Sequence, residues 1–378
     1  MKRETRTPSV LNLWMLAILV FCVLGYGCSD DAPLKLGFIG GTSGRVADLG
    51  ISGRDAVQMM VEEYNRNDKL NGRRIELLIR DDKQDSDIAR KAAQELIDEG
   101  VVAIIGPMTS DMAVAITPLL DKARVPAISP TASSQKLSGI DDYFFRVSST
   151  TREFATKSAA YHIKAGDMRR IVAVFDRTNL SFTENWLDNF QEFFAAHGGE
   201  VIARIGFDSQ QNKSFTDITN ELLAHQPDGI LIVANSMDSA MFCQQIRKAD
   251  TAIPITLADW GATERLLELG GKAVEGVTVV QTFNRDDPGK RYQAFRKAFL
   301  DRFKREPGFP GVYASDATQL VLSALQKREK NQDIKDAILS VRQFQGLQSE
   351  FRFDEFGDVI RSHASISVIR DRTFIVID

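Results

Sequence analysis

The fold is decided by residues 103–133, which read AIIGPMTSDMAVAITPLLDKARVPAISPTAS. The apolar run that enters this stretch, residues 101–105, is typical of a strand buried on both faces. A Gly-Pro pair ends the strand, a helical pattern follows over residues 112–122, and Pro126 precedes a second buried strand. The stretch therefore predicts two neighbouring parallel strands that are joined by a helix.

Ser110 and Ser133 lie on the loops that follow the carboxyl ends of these two strands. Open α/β sheets bind ligands at that edge, and the free N–H groups of a helix start favour a carboxylate or a phosphate. The two loops therefore predict an anion-binding edge. For Ser110, the alternative is a helix cap without a ligand.

A second stretch, residues 228–259, repeats the plan of strand, polar loop, helix, proline and strand. Ser239 stands where the first stretch has Ser110, and Pro254 stands where it has Pro126. Two such units about one hundred residues apart predict two similar α/β domains, because that spacing is a common domain size. The alternative is the general recurrence of strand–helix units in α/β proteins.

The same alternation continues along the chain and predicts an α/β fold of two Rossmann-like lobes, each a parallel sheet flanked by helices. We expect lobe I to comprise residues 34–149 and 284–350, and lobe II to comprise residues 150–283 and 351–378. The chain then crosses between the lobes three times. Three thin connections form a hinge, so we expect the lobes to open and close.

Residues 1–27 have the pattern of an export signal, since a basic start precedes an apolar stretch too short for a comfortable membrane span. The stretch ends in small residues around Cys28, which resembles a bacterial lipoprotein signal. We therefore expect a lipid anchor at Cys28, a tether over residues 28–33, and a body on the periplasmic or cell-surface side of a membrane. A plain signal peptide and an uncleaved anchor are the alternatives.

The composition excludes some partners. The formal net charge is −4 and no basic run occurs, which argues against nucleic acid. After export and lipidation only Cys243 keeps a free thiol, so no disulfide can form within one chain. We expect that thiol to be buried and inert, and we expect a monomer.

The sequence also argues against an enzyme. Its histidines are scattered, and no HExxH, CxxC, GxSxG or Walker A sequence is present. The loop at residues 40–44 lacks the GxGxxG spacing of a dinucleotide site. Asp81 and Asp82 could suggest a metal, but a solvated loop before a helix is the simpler interpretation. We expect no cofactor and no metal, and an exported hydrolase-like enzyme is an alternative.

Several short motifs occur in a specific order: residues 40–44, 80–82, 105–107 with Ser110, 125–130, 145–146, 270–271 and 275–277. In this order and spacing, the chain from about residue 34 to residue 369 resembles the type I periplasmic solute-binding proteins. The likeness is to the leucine/isoleucine/valine-binding branch that serves ABC importers. The resemblance implies a Venus flytrap fold in which an amino acid is held between the lobes and closure presents the complex to a permease.

The resemblance also implies site residues. It places the ligand carboxylate on Ser110 and Ser133, with backbone groups near Thr131 and Ala132. It places the ligand ammonium on Asp259, where the branched-chain binders usually have a glutamate.

Other positions depart from the branched-chain pattern. The polar group at the first crossing, an acid in those binders, is Thr151 here. Two aromatic cleft positions correspond to Leu49 and Leu180, and Trp260 supplies an aromatic ring beside the expected acid. These departures leave the particular ligand open.

The residues support this chemistry without the family. A zwitterion taken out of water loses hydration at both ends, and each end needs a charged or well-oriented partner. Hydroxyls and amides suit the carboxylate, and Asp259 suits the ammonium. The alternatives are a solvated loop acid for Asp259, packing between the lobes for Trp260, and ordinary core for Leu180.

Two functions remain in view. The first is a solute-binding lipoprotein of an ABC importer, for an amino acid or a similar small carboxylate. The second is a ligand-sensing lipoprotein of the same fold that acts on a signalling partner.

Overall fold

The computed structural model describes residues 32–67, 70, 73–211, 214–341, 343–361 and 364–378. The expected signal peptide, Cys28 and most of the tether lie outside these residues. The described strands are β1 (Leu34–Gly40), β2 (Ile75–Asp81), β3 (Ala103–Ile105), β4 (Ala127–Ser129), β5 (Phe144–Arg146), β6 (Arg170–Asp176), β7 (Glu200–Phe207), β8 (Gly229–Val233), β9 (Ile255–Leu257), β10 (Thr278–Gln281), β11 (Phe344–Gln345), β12 (Glu350–Phe353), β13 (Val359–Arg361), β14 (Ser365–Arg370) and β15 (Thr373–Val376).

The described α-helices are α1 (Ala47–Arg66), α2 (Ser86–Asp98), α3 (Ser110–Ala123), α4 (Thr151–Ala165), α5 (Leu180–Ala196), α6 (Phe215–Ala224), α7 (Ser236–Ala249), α8 (Glu264–Gly270), α9 (Lys290–Phe303), α10 (Gly308–Lys327) and α11 (Ile334–Leu339). Within the described ranges, none of them combines the length and the apolar character needed to cross a membrane.

In the described part of the chain, lobe I is built on five parallel strands in the order β2-β1-β3-β4-β5. The predicted apolar run supplies β3, whose residues are all fully buried. Ile105 pairs with Phe38 on one side and with Ile128 on the other. A central strand covered by helices must be apolar on both faces, which is the pattern in the sequence.

Lobe II has a sheet of seven described strands in the order β15-β14-β10-β9-β8-β6-β7. The pairs from β7 to β10 are parallel, as the repeat of the strand–helix unit predicts. Strands β14 and β15 are antiparallel to their neighbours and form a hairpin at one edge of this sheet. Two α/β lobes with parallel sheets flanked by helices are therefore confirmed.

The segment after β10 returns to lobe I. Helix α10 packs along α1. Two contacts hold the approach to α10: the Ser52 hydroxyl donates to the carbonyl of Pro307, and Arg305 pairs with Asp55 at 2.6 Å. The two chain segments of lobe I therefore share one hydrophobic core.

The third crossing differs from the sequence-based boundary at residue 351. Strands β11, β12 and β13 form a separate antiparallel sheet. This sheet contacts lobe I, since Phe353 packs edge-on against Phe145 with ring centroids 5.9 Å apart, and Asp358 pairs with the buried Arg146. Of the strands described after residue 351, only β14 and β15 join the sheet of lobe II.

One glycine fixes the loop that follows β1. A Cβ on Gly50 would stand 2.0 Å from the carbonyl oxygen of Gly41, so a side chain there would push the loop away from α1. The loop carries Arg45, whose guanidinium Nε lies 2.8 Å from Asp238 in lobe II. Close packing at Gly50 therefore helps to set an interlobe contact.

A pH-dependent contribution to stability arises just after β2. One oxygen of the buried Asp82 accepts the N–H of Gln84 at 2.8 Å, and the other has no hydrogen-bond partner among the described residues. Burial raises the pKa of Asp82 to about 6, although the hydrogen bond opposes the rise. The folded state thus keeps a proton that the unfolded state loses near pH ~4, and stability falls as the pH rises from about 4 to about 6.

Replacing Asp82 with asparagine should raise the free energy of unfolding at pH 7 by about 2 kcal/mol and change it little at pH 4. Urea unfolding at the two pH values measures both. Asp81 is the control, because hydrogen bonds from Ser43 and Thr42 outweigh burial and hold its pKa below the ordinary value. Asp81→Asn should therefore lower stability at pH 7. An equal loss in both variants would contradict this account of Asp82.

Candidate ligand-binding cleft

The carboxyl edges of the two sheets face each other across the gap between the lobes. From lobe I the loops after β1, β3 and β4 reach the gap, and from lobe II the loops after β6 and β9 do so. This edge is where parallel sheets place their ligand-binding loops.

Hydrogen bonds join the lobes around the gap. Asp48, near the start of α1, accepts the hydroxyls of Ser236 and Thr263, each at 2.6 Å. Further interlobe bonds connect Arg45 with Asp238, Asp111 with Asn179 and Ser181, Gln84 with Thr178, and Gln135 with Asn185 and Asn189. The lobes are closed on each other.

Two small cavities lie in the closed gap within the described structure. The first, of ≈ 20 Å³, is lined by Leu49, Met108, Thr109, Ser110, Thr131, Asn179, Phe182, Asp259, Trp260 and Phe309. The second, also of ≈ 20 Å³, is lined by Thr131, Ser148, Phe154, Asp259, Gln281, Thr282, Phe283, Phe309 and Tyr313. Each has room for about one water molecule. A ligand of amino-acid size therefore requires the lobes to separate.

Asp259 is the acid of this cleft. It lies directly after β9, at the start of a single 3₁₀ turn (Asp259–Gly261), and it lines both cavities. Its Oδ1 accepts the indole N–H of Trp186 at 3.0 Å, and no other side chain in the described ranges donates to it. Burial raises the pKa of Asp259 to about 7, although the Trp186 hydrogen bond opposes the rise. Asp259 is partly buried and held by the protein, which is not the environment of a solvated loop acid.

Ser110 and Ser133 are brought together, but they do not face the same space. The Ser110 oxygen accepts the N–H groups of Ser133 and Ser134, both at 3.3 Å, and Ser110 also lines the first cavity. Ser133 lines neither cavity, and its fully buried hydroxyl has no partner among the described residues. The helix-cap position belongs to Thr109, which makes no side-chain capping bond. Ser110 thus ties two loops together.

Of the three predicted residues on the loop after β4, only Thr131 lines the cavities. Thr131 lines both cavities, and its hydroxyl donates to the carbonyl of Met108. The Ala132 N–H is already bonded to the Ser129 hydroxyl at 2.9 Å, and the Ala132 side chain packs in a small apolar cluster. Ala132 therefore offers no free amide toward the cleft.

Thr151 and Leu180 do not line either cavity. The Thr151 N–H donates to the carbonyl of Ser133 at 2.8 Å, and its hydroxyl bonds to Asn185 in lobe II. Leu180 begins α5 and packs against the main hydrophobic core. In the closed structure Thr151 links the loop after β4 to α5, and Leu180 is part of the packing around the core.

Aromatic rings line much of the cleft. Leu49 and Trp260 lie where the sequence predicts, and Trp260 packs edge-on against Phe182 with centroids 5.6 Å apart. Sequence reasoning missed the other rings, which are Phe154, Phe182, Phe283, Phe309 and Tyr313. Phe154 lies just after the first crossing and Phe283 just before the second, and that position is the signal that could have identified them.

A larger groove of ≈ 630 Å³ opens at the rim of the same gap. Its walls carry charges of both signs, including Arg45, Asp48, Glu264 and Arg305. Several of these charges are already paired with protein groups, as Asp48 is with Ser236 and Thr263. The groove therefore offers few unpaired charges to a ligand, and we take the two cavities around Asp259 as the candidate binding site.

The chain is similar in sequence to proteins of known name. Glutamate receptor 2.5 of Arabidopsis thaliana is 31% identical over 230 residues, which are 59% of this chain and 24% of the receptor. The chain thus spans about a quarter of the length of that relative.

Solved structures share the fold. The branched-chain amino acid transporter substrate binding protein LivJ of Streptococcus pneumoniae, in complex with isoleucine, is 21% identical with a TM-score of 0.83, covering 91% of this chain and 99% of that one. An ABC transporter solute binding protein of R. palustris, in complex with benzoate, is 22% identical with a TM-score of 0.83, covering 91% and 95%.

The family model described as periplasmic binding protein matches residues 33–368. The match takes in both lobes, the three crossings and the cleft between them. The chain belongs to the periplasmic binding protein family.

Proposed function

We propose that this protein is the extracytoplasmic solute-binding lipoprotein of an ABC importer, and that it binds an amino acid or a similar small carboxylate between its lobes. One observation carries the proposal: Asp259 of lobe II and Ser110 and Thr131 of lobe I line one cavity between the lobes. An acid on one side, and on the other the Ser110 hydroxyl, whose proton is not used in its bonds with Ser133 and Ser134, match the two ends of an amino acid.

Closure around the ligand supports delivery to a permease. The interlobe hydrogen bonds of Asp48 and Asp111 form only when the lobes meet, so a ligand that bridges the lobes favours the closed state by its differential contacts. A permease that recognises both lobes together then distinguishes the loaded protein from the free one. The isoleucine and benzoate complexes of the two structural relatives lend support to both ligand classes.

A thermal-shift screen tests the proposal. The purified body is heated with each of the common L-amino acids and with small carboxylates that include benzoate, and hits are titrated by calorimetry. We expect at least one compound to bind with a stoichiometry of one and to raise the melting temperature, because binding to the folded state alone stabilises it. A screen in which none of them binds would contradict the proposal.

The lipid anchor is part of the proposal and has its own test. Changing Cys28 to alanine removes the thiol that carries the lipid, so we expect the protein to move from the membrane fraction to the soluble fraction while keeping its ligand affinity. Fractionation and calorimetry measure the two properties. Cys22→Ala is the control, since Cys22 lies within the expected signal peptide, and it should stay membrane-bound. A Cys28→Ala variant that also stays in the membrane fraction would refute the anchor.

A further inference from the structure

Trp186 is fully buried beneath the cleft, and it contacts the cleft acid directly. It lies on α5 with its ring stacked on Phe190, at a centroid distance of 5.6 Å and an interplanar angle of 15°. Its indole N–H points to Asp259 Oδ1 at 3.0 Å. Because neighbouring rings fix the indole, it holds the carboxylate in one orientation.

Within the described residues, the two cavities around Asp259 have no positive side chain to balance that carboxylate. No Lys, Arg or His is among the described residues that line the two cavities, and Asp259 is the acid common to both. The remaining walls are mostly aromatic or apolar, with hydroxyls and amides between them. The positive partner of Asp259 must therefore come from the ligand.

Few other titratable groups face Asp259 from the elements packed around it. Helix α10 brings the Tyr313 phenol, which lines the second cavity and bonds to Thr282. Strand β10 carries no charged residue. The acids on α5 and α7 line neither cavity: they are Glu184, Asp188 paired with Arg204, Glu192, and Asp238 paired with Arg45.

The protonation of Asp259 is therefore set by three influences: burial, the Trp186 hydrogen bond and the charge of the ligand. Burial in apolar surroundings favours the neutral acid, and an N–H donor favours the carboxylate. A protonated nitrogen beside Asp259 favours the carboxylate strongly. A ligand without such a nitrogen would favour the neutral acid instead.

Resting on the function proposed above, we propose that Trp186 is a positioning residue that holds Asp259 as a carboxylate, so that a small molecule with a protonated nitrogen and an apolar or aromatic remainder binds there with release of a proton. The ring-rich walls suit the remainder, and cation–π attraction adds to the ion pair. Without ligand, the pKa of Asp259 is about 7, so about half a proton is released per ligand at pH 7.

Matched probes test the ligand class. L-leucine is compared with 4-methylpentanoate, and L-phenylalanine with 3-phenylpropionate, because each pair differs in the amino group. We expect the amino acid of a pair to bind and its partner without nitrogen to bind at least tenfold more weakly. Calorimetry at pH 7 in phosphate and in Tris, which differ in ionisation enthalpy, counts the protons released. Tighter binding of the acids without nitrogen, or proton uptake, overturns this inference and leaves the proposed solute-binding function intact. Failure of every probe overturns the apolar or aromatic remainder assigned to the ligand, and the thermal-shift screen decides the solute-binding function separately.

Trp186→Phe tests the positioning role, because phenylalanine keeps a ring against Phe190 and removes the N–H. We expect the affinity for the better amino acid to fall about tenfold at pH 7 and to recover toward the wild-type value at pH 9, where Asp259 is ionised without help. A purely structural role would lower the affinity equally at both pH values and would overturn the assignment. If the variant does not fold, the proton count of the wild-type protein still decides the ligand class, and Asp259→Asn should reduce that count to zero.

Discussion

An Asp358→Ala variant should lose about 3 kcal/mol of its free energy of unfolding. Asp358 lies in the turn between β12 and β13 and pairs with Arg146, whose side chain is fully buried. Removing the acid leaves a buried guanidinium without its counter-charge, and the Gly139 N–H also loses its acceptor. We place the effect at the lower end for buried pairs because Arg146 keeps bonds to the Ser134 carbonyl and the Ser138 hydroxyl.

Urea unfolding of the variant measures this loss, with Asp301→Ala as the matched control. Asp301 is also an acid in an ion pair, but its pair with Lys297 is exposed on α9, and exposed pairs contribute little. The control should therefore stay close to the wild-type value. Equal stabilities of the two variants would show that the sheet of β11 to β13 is not held on lobe I through Arg146.

The second large effect is on binding. Replacing Asp259 with asparagine keeps the shape of the side chain and removes its charge, so an amino-acid ligand should bind about ten- to a hundred-fold more weakly at pH 8. A hydrogen bond to a charged partner contributes about 1.5–3 kcal/mol, which gives this range. Calorimetric titration measures the change.

The same variant should be at least as stable as the wild type without ligand, because its buried group no longer has to be desolvated as a charge. Asp301→Asn serves as the binding control, since Asp301 is exposed and lies outside both cavities. An unchanged affinity in Asp259→Asn would remove this residue from the site.

Much of the fold follows from local patterns. The run at residues 101–105 predicts β3 because a strand between two others leaves no room for polar side chains. An aspartate just before a helix is a common cap, and the Asp85 carboxylate accepts the N–H groups of Asp87 and Ile88 at the start of α2. A buried strand and a helix cap depend on residues that are close in the sequence, so they can be predicted from it.

The placement of residues 351–361 depends on contacts that the sequence does not display. The sequence around Phe353 and Asp358 is compatible with either lobe. Their contacts with Phe145 and Arg146, some two hundred residues away in the chain, place them on lobe I. A pairing at that separation has no local signal. The boundary expected at residue 351 therefore missed the contact with lobe I.

Some residues of the site could be predicted from local patterns in the sequence, and others could not. Ser110, Thr131 and Asp259 lie at the ends of parallel strands, and the rule for the carboxyl edge places them in one gap. Phe309 and Tyr313 enter that gap from the first turns of α10, which begins at Gly308, and not from a loop at a strand end. The partner of Asp259 is Trp186, whose position in the middle of α5 looks like ordinary core in the sequence.

A crystal structure with the tightest-binding compound from the screen tests the central claim most directly. We predict the ligand between the lobes, with its nitrogen within hydrogen-bond distance of Asp259 and its carboxylate beside Ser110 and Thr131. A ligand seated in the rim groove near Glu264 and Arg305, with Asp259 still bonded to Trp186 alone, would contradict the claim.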